Sequence, residues 1–317
     1  MRRFKGIVYL FLVFCGCLSL EEPELDWEDV EAEHDPQLNI MAILSPDTLV
    51  ETFVRVQRTL RVEEPTDTLV RNTVEGNIYP YYASRFIVRD ARVVLSNNSS
   101  EYELEFFGYN PETYQSKPMD VYQYKGDDLL PKPGETWTLS VSTPSGLTAK
   151  GETVVPPAPE IHKAQLPDSF NIHRTMNIVW SKQEENHQIL NVNNRLSYYL
   201  YEENDSLRFN DVYWSTSCGF WEEHLIYPGE TDWRYRREIC EGSFGPSGDD
   251  EIEDILMIHL MSMDSNYYNY FIKFATDSEF NSLFFGQGGS GRSFGIEIGI
   301  GVFASIGVDR HWMPIQR

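Results

Sequence analysis

From Leu38 onward the chain is written in the two-residue period of half-buried strands. LNIMAIL (38–44) and LVETFVRVQRTL (49–60) flank Pro46-Asp47, a turn pair, and in the second run Phe53, Val54 and Val56 are interleaved with Arg55, Gln57 and Arg58. The stretch 61–83 is polar, then aromatic and proline-containing, and is expected to be a long loop. FIVRDARVVLS (86–96) and EYELEFFG (101–108) flank Asn97-Asn98-Ser99-Ser100, where the asparagines tolerate the dihedrals of a tight hairpin turn. The clearest local pattern follows. Pro133-Gly134 opens ETWTLSVSTP, Ser145-Gly146 turns the chain into LTAKGETVVP, and Trp137, Leu139 and Val141 share one face. Pro156-Pro157-Ala158-Pro159 then removes ladder donors and ends regular pairing.

These signals divide the chain into an N-terminal β-sandwich domain at 37–155, a proline-rich linker at 156–160 and a C-terminal β-rich domain at 161–317. The second domain offers MNIVW (176–180), RLSYYLYEE (195–203) and ILMIHLMSM (255–263) as strands. Its period then changes: Tyr267, Tyr270, Phe271 and Phe274 follow i, i+3, i+4, i+7, predicting one helix near 265–279 that Asp264 or Ser265 can cap. FGIEIGIGVFASIGV closes the chain as one or two strands, so the expected fold class is all-β, mainly, with that single helix.

The segment before Leu38 follows other rules. Arg2, Arg3 and Lys5 precede the apolar run Ile7 to Phe14, and Gly16-Cys17 ends it. Eight residues cannot span a bilayer core of about 30 Å at 1.5 Å per residue, so the segment reads as an export signal. It resembles a bacterial lipoprotein signal, Phe14-Cys15-Gly16-Cys17 standing for the lipobox and Cys17 for the lipid acceptor. Cys15 is the rival acceptor, and an ordinary secretory signal is the alternative. Residues 18–36 are acidic and aperiodic, as a self-repelling tether would be. Glu21 and Glu22 resemble the acidic surface-export signals of some Bacteroidota lipoproteins.

Net charge of −23 sets the chain against nucleic acid and anionic lipid head groups. Membrane hold then has to come from acyl chains at Cys17. With Cys15 removed and Cys17 lipidated, Cys218 and Cys240 are left as an even pair in an oxidising compartment, and a disulfide between them is expected. Two buried free thiols are the alternative.

Candidate chemistry is sparse. None of the seven histidines falls in a zincin spacing, and no G-x-S-x-G elbow occurs. His259 lies inside an apolar run, where a core histidine is expected before a catalytic one. Gly286-Gln287-Gly288-Gly289-Ser290-Gly291-Arg292 lacks the Lys-Ser/Thr ending of a phosphate-binding loop. Asp249, Asp250, Glu251, Glu253 and Asp254 could collect calcium but lack EF-hand spacing, so neither a metal nor a cofactor is expected. Trp214, Trp221 and Trp233, with Tyr213 and Tyr227, hold the most binding potential: outward they would make a stacking face or a protein hot spot, inward a core.

Several stretches together resemble the DUF4249 family of Bacteroidota outer-membrane lipoproteins, whose function is uncharacterised. They are the lipid cysteine with its acidic follow-on, Asp90-Ala91-Arg92-Val93-Val94-Leu95 before a turn, Pro133-Gly134-Glu135-Thr136-Trp137-Thr138-Leu139 with Thr143-Pro144-Ser145-Gly146, and Ile298-Gly299-Ile300-Gly301-Val302-Phe303-Ala304. The resemblance implies a first domain of transthyretin or carboxypeptidase-regulatory type. It also implies an accessory or ligand-binding partner of a TonB-dependent receptor, noncatalytic and lipid-anchored in the outer membrane. Two other functions are carried forward: a glycan-binding module built on the 213–235 aromatics, and an envelope hydrolase with dispersed catalytic residues.

Overall fold

Seventeen residues near the C-terminus, Ile300–Gln316, form the strand around which the others are arranged. The computed structural model describes residues 35–47, 51–61, 63–74, 77–108, 120–171, 173–197, 200–203, 206–209, 212–214, 222–236, 254–274 and 292–316. In chain order the strands among them are β1 (Leu38–Leu44), β2 (Phe53–Arg58), β3 (Asp67–Val74), β4 (Asn77–Ser84), β5 (Arg92–Ser96), β6 (Glu101–Phe107), β7 (Val121–Gln123), β8 (Thr136–Ser142), β9 (Thr148–Val154) and β10 (Phe170–Asn171). They continue as β11 (Met176–Val179), β12 (Gln188–Ser197), β13 (Leu200–Glu203), β14 (Ser206–Phe209), β15 (Val212–Trp214), β16 (Glu222–Ile226), β17 (Asp232–Tyr235), β18 (Asp254–Met263), β19 (Ile296–Ile298) and β20 (Ile300–Gln316).

Fourteen of these strands form one sheet, ordered β15-β12-β18-β20-β1-β2-β7-β6-β5-β8-β9-β19, with β10 also on β20 and β16 also on β12. Three antiparallel pairs, β3–β4, β11–β17 and β13–β14, stand apart from it. The antiparallel strand β18 follows β20 from Ile255 opposite Pro314 to Met263 opposite Ile306. On the other edge β1 runs parallel to β20 only as far as Leu44 opposite Ser305. The far end of the sheet returns to its middle, because β19 pairs with β9 and then passes directly into β20. That passage turns on Gly299 and Gly301, both at positive φ (95° and 111°). A side chain at Gly301 would overlap the carbonyl oxygen of Ile40, so the Gly-Ile-Gly spacing lets the sheet curl.

Three cores explain which runs alternate and which are continuously apolar. The first fills the curl: Leu38, Ile40, Ala42 and Leu44 of β1 meet Val54, Val93, Leu95, Leu104, Trp137, Leu139, Val141 and Phe303. Because β8 has that core on one side and solvent on the other, its burial alternates along TWTLSVS, as its sequence predicts. The second core packs Leu190 and Val192, Leu256, Ile258 and Leu260, and Met313 against Trp180, Phe170 and Tyr235. A third lies on the opposite face of β20, where Val302, Ala304 and Ile306 meet Ile43, Phe53, Met261 and Met263. Between the first and third cores, Gly301–Gly307 is buried without a break, which is why GVFASIG shows no period of two.

The helix expected near 265–279 is present as a turn, α1 (Ser265–Tyr267), running into a π-helical turn, Tyr268–Lys273. Asp264 caps it, accepting from the Tyr267 N–H at 2.8 Å. Tyr267 and Phe271, from the predicted stripe, lie in the third core. The expected turns are also in place. Asn97 Oδ1 accepts from the N–H groups of Ser99 and Ser100, and Gly134 and Gly146 take positive φ.

The stretch 61–83, expected to be a loop, contains the β3–β4 hairpin instead. Both strands expose most of one face, so they lack the apolar alternation by which half-buried strands are recognised. The run 195–203, expected as one strand, is divided between β12 and β13. The proline stretch lies between β9 and β10, while β1 and β20 join strands from before and after it into one sheet, and Pro36–Arg317 forms one compact unit.

Candidate functional site

The described aromatic residues between 213 and 235 are dispersed over different sheets. Tyr213 and Trp214 lie on β15, opposite Leu196 and Arg195 of β12. Trp233 lies on β17 opposite Ile178; it is half-buried against the second core and stacks on His224 with ring centroids 5.3 Å apart. Tyr235 is fully buried beside Phe170, while Tyr227, in the β16–β17 turn, is 56% exposed. Trp221 lies outside the described residues.

The disulfide expectation is corrected. No disulfide is present among the described residues. A bridge requires Cα atoms about 4.4–6.8 Å apart, a condition that an even cysteine count does not supply. Cys17, Cys218 and Cys240 lie outside the described residues, as do Asp249, Asp250, Glu251 and Glu253. Asp254 opens β18 opposite Leu196. No group of three or more His, Cys, Asp or Glu side chains able to hold a metal occurs among the described residues.

The structure instead brings together charged groups where β1 ends and β20 continues. Asn191, His259 and Arg310 stand opposite one another on β12, β18 and β20, forming a polar row beyond the third core. Asp47, just after β1, completes the row: its Oδ1 accepts from Arg310 Nη1 at 2.6 Å and its Oδ2 from Arg310 Nη2. The Asp47 side chain is 5% exposed and that of Arg310 15%. His259 Nε2 lies 4.0 Å from Asp47 Oδ2. Burial pushes the His259 pKa down to about 4, so the ring is neutral at neutral pH. Burial also lowers Arg310, to about 10, which leaves its charge intact beside Asp47.

A cleft of about 430 Å³ opens here, walled by Pro46, Pro133, Pro156 and the β20 segment Gly307–Arg310. Asp309 faces the linker, accepting from the Ile161 N–H and from Lys163 Nζ, each at 2.7 Å. Both carboxylates on the cleft are therefore held by a cation, and the geometry is that of a clamp binding the β1–β2 loop and the linker to β20.

A second polar group sits between the cores. The Asp264 carboxyl is 7% exposed and meets Thr153 Oγ1; Thr153 Oγ1 is 2.9 Å from Ser305 Oγ, which donates to the Val154 carbonyl at 2.9 Å. These are three contacts among four oxygens, and the two hydroxyls supply only two protons. The chain is complete when Asp264 carries the third. Burial raises the Asp264 pKa to about 6, against the opposing hydrogen bonds from Thr153, the Tyr267 N–H and Ser305. Single residues in mixed runs, Asp47 in a turn pair and Arg310 in the tail, gave no sequence signal for the first cluster, and for the second only Asp264 stood out, as a helix cap. The His259 reading was legible: a histidine inside an apolar run is a core histidine here, 3% exposed.

Fold and clusters together define a mainly β protein whose buried charges fasten one curled sheet. Residues 24–311 match the family described as domain of unknown function DUF4249. The chain belongs to that family, an uncharacterised domain often found in Bacteroidota envelope lipoproteins. No curated protein and no solved structure matches it.

Proposed function

We propose that the protein is a noncatalytic, lipid-anchored accessory protein of the outer membrane that works beside a TonB-dependent receptor. The observation that carries this reading is the order of features along the chain. A basic, apolar segment ends at Cys17, an acidic stretch follows, and a compact β body begins at Pro36. Family membership agrees with an outer-membrane-associated lipoprotein. The body supports a binding role over a catalytic one, because Asp47 and Asp309 are already engaged by Arg310 and Lys163. The curl of β1, β2 and β5–β9 around Trp137 supports the narrower likeness of this part to transthyretin or carboxypeptidase-regulatory sandwiches.

Two measurements test the reading. A Cys17→Ser variant is expected in the soluble fraction, and a variant that remains membrane-bound removes the anchor. Crosslinked pull-down from native membranes is expected to retrieve a TonB-dependent receptor; retrieval of other complexes without one counts against the partnership.

A further inference from the structure

One hairpin has none of its described side chains in the three cores. Strands β3 and β4 face each other from Asp67 opposite Ser84 to Val74 opposite Asn77, and among the described residues neither pairs with another strand. Its base is fixed. The Arg85 N–H donates to the Thr66 carbonyl at 2.8 Å, the Arg58 N–H donates to the Phe86 carbonyl at 2.7 Å, and the guanidinium groups of Arg58 and Arg85 converge on Glu64. Above that base, Leu69, Arg71, Ile78, Pro80 and Tyr82 occupy one face and are all exposed. Four of the nine large apolar side chains exposed among the described residues fall between 69 and 86, with Ile78 at 64% and Tyr82 at 76%. Such a concentration on a rigidly based arm marks a contact surface.

Pro80 decides which edge of the hairpin is open. A proline has no N–H to give, so within a ladder its nitrogen faces away from the neighbouring strand. Arg71 is directly opposite Pro80, so Arg71 also turns its main-chain groups outward, as do Leu69 and Thr73 at two-residue steps. The outer edge of β4 is interrupted at Pro80. The outer edge of β3 keeps its donors and acceptors. Charge adds the second requirement: in a chain of net charge −23, the paired positions of this face from Leu69 opposite Tyr82 to Thr73 opposite Ile78 carry Arg71 and no acid.

We propose that the outer edge of β3 takes up an extended, acidic segment of a partner polypeptide as an added strand. Main-chain hydrogen bonds to Leu69, Arg71 and Thr73 hold the segment, its alternate apolar side chains continue the Leu69–Tyr82 face, and a carboxylate pairs with Arg71. This inference rests on the reading of the protein as one that binds a partner, but it does not require that partner to be a receptor.

The test uses the full chain in its native envelope with the photoreactive residue p-benzoylphenylalanine at Leu69, and at Tyr227 as a control. Irradiation is expected to give one discrete adduct with another protein from position 69 and none from 227. Arg71→Pro removes the outward N–H without touching the β3–β4 ladder and is expected to reduce the adduct on the order of tenfold. Arg71→Glu should reduce it as well, whereas Arg71→Lys should retain it, which separates loss of binding from loss of fold. An adduct with phospholipid, an adduct of twice the chain mass, no adduct, or a yield that Arg71→Pro and Arg71→Glu leave unchanged overturns the proposal. A receptor in the pull-down without a Leu69 adduct overturns this inference and leaves the partnership standing. A Leu69 adduct with a protein other than a receptor, together with a pull-down that retrieves no receptor, does the reverse.

Discussion

Asp47 and Asp264 are both buried, both border β20, and balance their burial in opposite ways. Asp47 shares the Arg310 guanidinium through both oxygens, so its charge is met by another charge. Asp264 has hydroxyls and main-chain N–H groups around it and, among the described residues, no cation, and burial holds its pKa up near 6. A buried acid beside arginine stays charged because of its partner; one among hydroxyls and N–H groups takes up its proton at a higher pH than usual. Both sites lie where the β1–β20 pairing ends: Asp264 meets β20 at Ser305, the last residue paired with β1, and Asp47 meets it further on, at Arg310. Asp264 ties α1 to β9 and β20, and Asp47 ties the β1–β2 loop to β20 where β1 no longer covers it. Each joins parts of the chain that are far apart in sequence.

The largest test of this contrast is removal of the cation. Arg310→Met leaves Asp47 buried without its counter-charge and is expected to lower stability by roughly 3–5 kcal/mol, read by urea unfolding. Asp47→Leu together with Arg310→Met removes both charges, and most of that loss should return. If the double variant is as unstable as the single, Asp47–Arg310 is not the clamp described here.

Asp264 should respond with the opposite sign. Asp264→Asn keeps an oxygen to accept from the Tyr267 N–H and supplies an N–H to Thr153, so the hydrogen-bond chain is complete at every pH. At pH 7.5 the variant is expected to be more stable than the parent, by roughly 1–3 kcal/mol; at pH 4 the gain should vanish, because the parent is then protonated. Asp264→Ala loses the helix cap as well and should be destabilised by about 1–2 kcal/mol. An Asn variant less stable than the parent at pH 7.5 would mean that the ionised Asp264 is stabilised by its hydrogen bonds as fully as Asp47 is by Arg310.

The sequence made the local half of this architecture readable and the seam unreadable, for a physical reason. Trp137, Leu139 and Val141 reveal β8 because one face is wet, and Gly134, Gly146 and Asn97 reveal turns through their own backbone preferences. The pairing of β1 with β20 joins residues some 260 positions apart, and the apolar pattern of either strand does not name its partner. Asp47 and Arg310 are ordinary charged residues until that pairing brings them together. The β3–β4 hairpin was missed for the reverse reason: with an exposed face of Leu69, Ile78 and Tyr82, it does not display the polar-out pattern of a half-buried strand. Cysteine count misled because it describes number and compartment, whereas a bridge is a matter of distance.

The smallest expected effect comes from setting Asp264 against His259. The folded pKa of His259 is depressed to about 4, so its contribution to stability is present above the unfolded value near 6.5 and is lost as pH falls towards 4. The folded pKa of Asp264 is raised to about 6, so its contribution is present below the unfolded value near 3.9 and is lost as pH rises through 6. Between pH 7.5 and 5 the two therefore act in opposite directions, each by roughly 1–2 kcal/mol, and in the parent protein they nearly cancel. Relative to the parent, His259→Gln should gain stability on acidification over that interval, and Asp264→Asn should lose it. The double variant should follow the parent to within about 1 kcal/mol. Unfolding curves at pH 7.5 and 5 for all four proteins give the answer, and slopes of the same sign for the two single variants would show that the two buried sites do not differ in the way their geometry requires.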